Sequence, residues 1–210
     1  MTTTDGKMNF CKNVISLNEG DILFFDTNVI FDYLIGDTAK YNEPISKFIE
    51  HAIENNCKMY ISPIVANELL HTIAKELFAR AMIANGRYRG KIENAKRAWH
   101  DISKDISSRN INLVKTYNEQ ALELIRPLTE KVDDESLFIM SDITSEITEQ
   151  AYQLSSAYGL NSTDAFITAH SKYLGGTLVS LDKDIHKVPN ISLYYGKLEK
   201  GELFDDSIYE

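Results

Sequence analysis

Four acids in this chain are spaced as if to meet. Asp26 closes the apolar run Ile22-Leu23-Phe24-Phe25, and Asp182 follows Thr177-Leu178-Val179-Ser180-Leu181. Glu68 and Asp164 stand near the starts of two helices opened by Ser62-Pro63 and by Ser162. Each has a plain structural use alone: Asp26 as a helix cap, Asp164 as a first-turn acid facing the helix dipole, Asp182 as a turn residue, Glu68 as a solvated position. Glu68 nonetheless interrupts the apolar surround Ile64, Val65, Leu69 and Leu70. Carboxylates gathered in one place repel, and a proton or a cation relieves the repulsion. An all-oxygen set with no Cys or evident His favours a hard ion, Mg²⁺ or Mn²⁺. Such an ion commonly shares its shell with substrate phosphate, which points to a phosphate-bearing polymer.

The elements that must position these acids follow from apolar patterning. Short apolar runs at 22–26, 58–61, 137–140, 177–181 and 191–195 predict strands. Three- and four-residue spacings predict helices at 27–35, 43–55, 63–84, 91–107, 117–129, 144–158 and 162–174, with Ser62 as N-cap before Pro63 and Gly36, Gly86, Gly159 and Gly175-Gly176 as stops. Strands alternating with helices predict parallel pairing and an α/β architecture. In a parallel sheet, acids that end strands or begin the helices after them emerge at one C-terminal edge, where such sheets do their chemistry.

The chain has 210 residues, 43% of them apolar, enough for one good core with a helical elaboration. The expected organisation is an arm over 1–20, a single domain over 21–200 with a helical insertion at about 85–130, and a tail over 201–210. Two cysteines, Cys11 and Cys57, without a CxxC, argue against a disulfide framework or a zinc knuckle. No apolar run approaches the ~20 residues that span a bilayer, and a cytoplasmic protein without membrane attachment is expected. Net charge is −9. Between Lys75 and Lys115, however, ten basic residues face four acids, a surplus of +6 that leaves −15 on the rest. A basic region on an acidic body suits a protein that grips a polyanion in one place and gathers cations in another. Arg87, Arg89, Lys91, Lys96 and Arg97 cluster about a helix start, with Tyr88 and Trp99 among them, and are the candidate RNA-binding residues; an aromatic face there could stack on a base, although a lone Trp on an amphipathic stripe is more often a packing anchor.

At these motifs the chain resembles PIN-domain ribonucleases of the VapC toxin type. The resemblance lies in the strand ending Asp26-Thr27-Asn28, the helix bearing Glu68 after Ser62-Pro63, the run Thr163-Asp164-Ala165-Phe166-Ile167-Thr168-Ala169-His170, and Leu178-Val179-Ser180-Leu181-Asp182-Lys183-Asp184. It leaves about 85–130 unmatched. The resemblance implies a three-layer PIN-like α/β fold with a mostly parallel sheet of four or five strands plus the inserted helices. It implies cleavage of RNA with Mg²⁺ or Mn²⁺, the metal-site and catalytic acids being Asp26, Glu68, Asp164 and Asp182, supported by Thr27, Asn28, Ser180 and Asp184. An antitoxin protein and a second copy of the chain are the partners it implies. His71, three residues beyond Glu68, would touch substrate or pack as a partly buried ring.

Two alternatives stand beside this one. A haloacid-dehalogenase-like phosphatase also begins with an apolar strand ending in Asp, but that family places a second Asp two residues on, where this chain has Asn28. A non-catalytic PIN-like module would bind RNA or protein without cutting.

Overall fold

The computed structural model describes residues 17–35, 42–87, 91–105, 107–131, 136–197 and 202–205. Among the predicted features, most of the N-terminal arm, Tyr88 and Arg89 fall outside these residues, as does Cys11. The chain divides into two compact units, one formed by 1–65 with 138–210 and the other by 66–137. The second unit thus takes in more chain than the 85–130 insertion expected from sequence.

The first unit is built on one six-stranded sheet. Strands β1 (Ile22–Phe25), β2 (Lys58–Ile61), β3 (Ile139–Met140), β4 (Thr177–Ser180), β5 (Leu193–Lys197) and β6 (Glu202–Asp205) lie in the order β3-β2-β1-β4-β5-β6. The first five are mutually parallel and β6 runs antiparallel to β5. Sequence patterning foresaw the five parallel strands and placed the sixth in the tail, because Glu202-Leu203-Phe204-Asp205 is too short a pattern to stand out.

From β1 the chain steps outward to β2 and β3, then returns to the other side of β1 for β4 and β5. Crossovers that move in opposite directions and share the usual right-handedness cover opposite faces of the sheet. The side chains of β1 report both faces: Phe24 meets His170 of α7 (Ser162–Tyr173) with ring centroids 4.8 Å apart, whereas Phe25 meets Phe48 of α2 (Asn42–Glu54) at 6.2 Å. Successive strand residues point to opposite sides, so the sheet is sandwiched between two helical layers. All of Leu23, Phe24 and Phe25 are fully buried, as a central strand requires.

The remaining helices of this unit are α1 (Thr27–Ile35) and α6 (Ser145–Tyr158). Thr144 caps α6 by accepting the Ile147 N–H, and Gly159 ends it in the left-handed region at φ 67°. α6 and α7 pack as a hairpin around Ile147, Ala151, Leu154, Leu160, Ala165 and Ala169. α7 hands over to β4 through Gly175-Gly176; a Cβ at Gly176 would come within 2.6 Å of Ile22 Cγ2, so only glycine lets this turn pass the start of β1.

The second unit is helical. α3 (Pro63–Ala84) begins in the first unit, where Ser62 Oγ accepts the Val65 N–H at 3.3 Å as the sequence predicts. α4 (Ile92–Lys104) and α5 (Ser108–Thr129) follow. α5 starts nine residues before the predicted helix: Val114 extends the Tyr117, Ala121, Ile125, Leu128 stripe by one turn, and the serines that read as a break form its start. Phe78, Trp99 and Tyr117 form the aromatic centre of this unit, with centroids 5.3 to 6.0 Å apart. Trp99 is 4% exposed, so it is a packing anchor and no stacking platform for a base.

Candidate active site

β1 and β4 are the neighbours at which the strand order reverses, and the crevice beyond their C-terminal ends is where open α/β sheets bind ligands. Asp26 is the first residue past β1. Its N–H donates to Val179 O of β4 at 3.0 Å, and its carbonyl accepts from Val29 and Ile30, so the backbone is both the last rung of the ladder and the start of α1. Its side chain is 5% exposed. Asp26 Oδ2 accepts from Ser180 Oγ at 2.5 Å and from Asn28 Nδ2 at 2.8 Å. Short hydrogen bonds from a hydroxyl and an amide are what an ionised carboxylate attracts and what fixes its orientation.

Ser180 ties this acid to the next one. It is fully buried, and while its hydroxyl donates to Asp26, its Oγ accepts the Asp182 N–H at 2.9 Å. Asn28 adds a second link, its Oδ1 accepting the Leu181 N–H at 3.0 Å. β1 and β4 are therefore latched beyond their ladder by side chains from Asp26-Thr27-Asn28 and Ser180-Leu181-Asp182. Asp182, half-buried, accepts the Asp184 N–H on Oδ1 at 2.8 Å and so caps a 3₁₀ helix over 183–187. Asp184 itself faces outward to Lys187, 3.1 Å away. Thr27 is buried at the first position of α1.

Asp164 sits in the first turn of α7 and is 9% exposed. α7 runs against the direction of β4 and packs on β1 and β4, so its N-terminus lies toward the C-terminal edge that carries Asp26 and Asp182. Asn161 orients this acid: Oδ1 accepts the Asp164 N–H at 2.9 Å and Nδ2 donates to Asp164 Oδ2 at 2.7 Å. Asn161, and not Ser162, is the N-cap; the Asn three residues before an Asp was the signal that the sequence reading passed over.

Glu68 lies in the second turn of α3, partly buried, and belongs to the second unit. His71 is exposed, which removes the packing role considered for it. Of the basic candidates, Arg87, Lys91 and Arg97 are exposed, while Lys96 is engaged by Glu76 at 2.7 Å and Glu93 at 3.5 Å. Glu76 is an acid the sequence reading missed. It is 5% exposed on α3 and receives Arg80 at 2.9 Å as well as Lys96. Burial alone would raise its pKa, but the hydrogen bonds and charges of Lys96 and Arg80 hold the carboxyl below the usual range. Burial likewise opposes the charge of Lys96, and Glu76 outweighs it, so the ammonium titrates above its ordinary value.

Among the described residues no three His, Cys, Asp or Glu side chains stand close enough together to form a ready metal cage. The donor chemistry of the edge nevertheless suits a hard divalent ion. Asp26, Asp164 and Asp182 offer carboxylate oxygens oriented by hydrogen bonds, and Mg²⁺ typically takes only one or two protein carboxylates, filling its shell with water and phosphate.

The PIN domain family model matches residues 23–191, and the chain belongs to that family of nucleases. No curated protein sequence matches it. Among solved structures it is similar to the VapBC2 complex of Rickettsia felis bound to a promoter DNA fragment, at 16% identity and a TM-score of 0.49, covering 83% of this chain and 98% of that one. It is also similar to FitAcB of Neisseria gonorrhoeae (15% identity, TM-score 0.44, 81% and 95% covered) and to a toxin-antitoxin complex of Klebsiella pneumoniae (18%, 0.44, 80% and 92%). The family match displaces the dehalogenase alternative, and Asn28, where that family would carry an acid, here orients Asp26.

Proposed function

We propose that this protein is a metal-dependent endoribonuclease that hydrolyses RNA phosphodiester bonds at the crevice beyond β1 and β4. The observation that carries the reading is the Asp26–Ser180–Asp182 linkage at the topological switch point, next to the helix that presents Asp164. Asp26, Asp164 and Asp182 would hold Mg²⁺ or Mn²⁺, and Glu68 is assigned to the same set on the strength of its motif. A divalent ion bound by such acids lowers the pKa of bound water and offsets charge on a phosphoryl group. The protein's own contribution is positional. Ser180 and Asn28 hold the Asp26 carboxylate in one orientation, Asn161 does so for Asp164, and the Asp184 N–H does so for Asp182. With oriented acids and no nucleophilic side chain required, hydrolysis proceeds by direct water attack, giving 5′-phosphate and 3′-hydroxyl ends.

A toxin role, with a small antitoxin as partner and self-pairing of the chain, is the finer part of the same proposal. Incubating the purified full-length protein with RNA and Mn²⁺, with and without a chelator, tests the activity. Chelator-sensitive cleavage leaving 5′-phosphates is expected. Cleavage that ignores the chelator, or that leaves 2′,3′-cyclic phosphates, would sink the proposal. Co-purification with the product of an adjacent reading frame, and a sedimentation profile above 23.9 kDa, would test the toxin role and the pairing.

A further inference from the structure

The second unit contains a cavity of about 470 Å³ between α3 and α4, and its lining is a set of hydrogen-bond donors. His71 and Lys75 stand one turn apart on α3; Arg97 and His100, with Glu93 a turn earlier, come from one side of α4. Lys96 also borders the space, but its charge is met by Glu76 and Glu93. Among the described residues neither Lys75 nor Arg97 has an ion-pair partner. Lys104 Nζ lies 2.6 Å from His100 Nε2. An ammonium can only donate, so that nitrogen is the acceptor and His100 carries its hydrogen on Nδ1, available as a further donor. The single acid of the lining, Glu93, is already turned to Lys96 at 3.5 Å. An open cleft with two cations that have no ion-pair partner among the described residues, neutral donors and an acid spent on another lysine suits an anion.

We infer that this pocket holds a backbone phosphate of the RNA, Lys75 and Arg97 supplying the charge and His100 a hydrogen bond. The inference rests on the nuclease reading above for the identity of the polyanion. Charge favours this placement: residues 75–115 carry the chain's +6 surplus while the remainder, at −15, repels phosphate. Trp99 lines the cavity too, but its ring is committed to Phe78 and Tyr117, so the grip reads phosphate and not base, and should be indifferent to sequence.

The test is binding of a short unstructured RNA to the full chain in a chelator, so that cleavage plays no part, over a range of salt concentrations. For Lys75→Gln combined with Arg97→Gln, affinity should fall roughly tenfold or more for every sequence, and the slope of log K against log salt should flatten by about 1.4, or about 0.7 per lost charge on a single strand. Glu93→Gln should tighten binding, an effect no loss of structure produces, and Lys58→Gln at the opposite edge of the sheet should leave the slope unchanged. An unchanged slope in the double variant overturns the pocket. So does an unchanged slope accompanied by lost binding of a poly-glutamate peptide, which would assign the cavity to an acidic protein segment. If the double variant flattens the slope but the wild type never cuts RNA, the nuclease reading fails and the pocket stands; a wild type that neither binds nor cuts RNA sinks both.

Discussion

Asp26 in the first unit and Glu76 in the second are equally buried, each 5% exposed, and their surroundings are opposite. Asp26 accepts hydrogen bonds from the Ser180 hydroxyl and the Asn28 amide. Glu76 is held by two cations, Arg80 and Lys96. Neutral hydrogen bonds orient a carboxylate without cancelling its charge, whereas two cations spend that charge on the protein's own cohesion. Depth of burial therefore says little about an acid's role. Under the proposed function, Asp26 is oriented for an outside cation, whereas Glu76 pins α3 to α4.

The comparison breaks most visibly at Asp26. Asp26→Asn keeps an oxygen able to accept from Ser180 and Asn28, so stability should stay within about 1 kcal/mol while RNA cleavage falls by on the order of 100-fold or more. Denaturant melts run beside a cleavage assay will show whether the two effects part in this way. Glu76→Gln should do the reverse. It leaves Arg80 and Lys96 facing a neutral amide in a mostly buried place, at a cost of about 3 kcal/mol, with cleavage per folded molecule retained. Its pH signature follows from the lowered carboxyl pKa. The pair's contribution is complete above the ordinary carboxylate range and disappears as pH drops through the folded value, so the variant should lose less stability on acidification than the wild type.

A third buried ionisable group sharpens the contrast, because it is kept neutral. His170 is fully buried against Phe24; Nε2 pairs with Ser141 Oγ at 2.8 Å, and Nδ1 is without a hydrogen-bond partner. Nε2 therefore carries the hydrogen, since a buried lone pair is cheaper to leave unmet than a buried N–H. Burial pushes its pKa from 6.5 to about 4. The unfolded chain takes up this proton below about pH 6.5 and the folded chain does not until about pH 4, so stability should drop by about 2 kcal/mol between pH 7 and pH 5. Urea midpoints at the two pH values, with His170→Gln flattening the difference, check this. The smallest effect is expected at Asn161→Ala, where loss of the α7 cap should cost about 1 kcal/mol in thermal melts and lower cleavage by freeing Asp164 to rotate.

Much of the first unit was legible because its signals are local. Four-residue apolar runs ending in an acid gave β1 and β4, and Ser62-Pro63 gave the start of α3. Parallel pairing of those strands then puts Asp26 and Asp182 on one edge. What escaped were relations between distant segments. The Ser180 hydroxyl that bridges Asp26 and Asp182 spans 154 residues of sequence, and nothing in Leu178-Val179-Ser180 announces its partner beyond the family resemblance. Glu76 reads as a surface position because its neutralising lysine is twenty residues away on α4. The Glu76 partner of Lys96 is hidden in the sequence for the same reason. β6 was missed because pairing with β5, and not its own composition, makes it a strand.

Uptake of a divalent ion should distinguish the two buried acids. Mn²⁺ binding to the full chain, followed by calorimetry without RNA, should be retained in Glu76→Gln and weakened at least about tenfold in Asp26→Asn. Equal Mn²⁺ affinity in wild type and Asp26→Asn would contradict this, and would mean that the carboxylate beside Ser180 is a structural latch between β1 and β4.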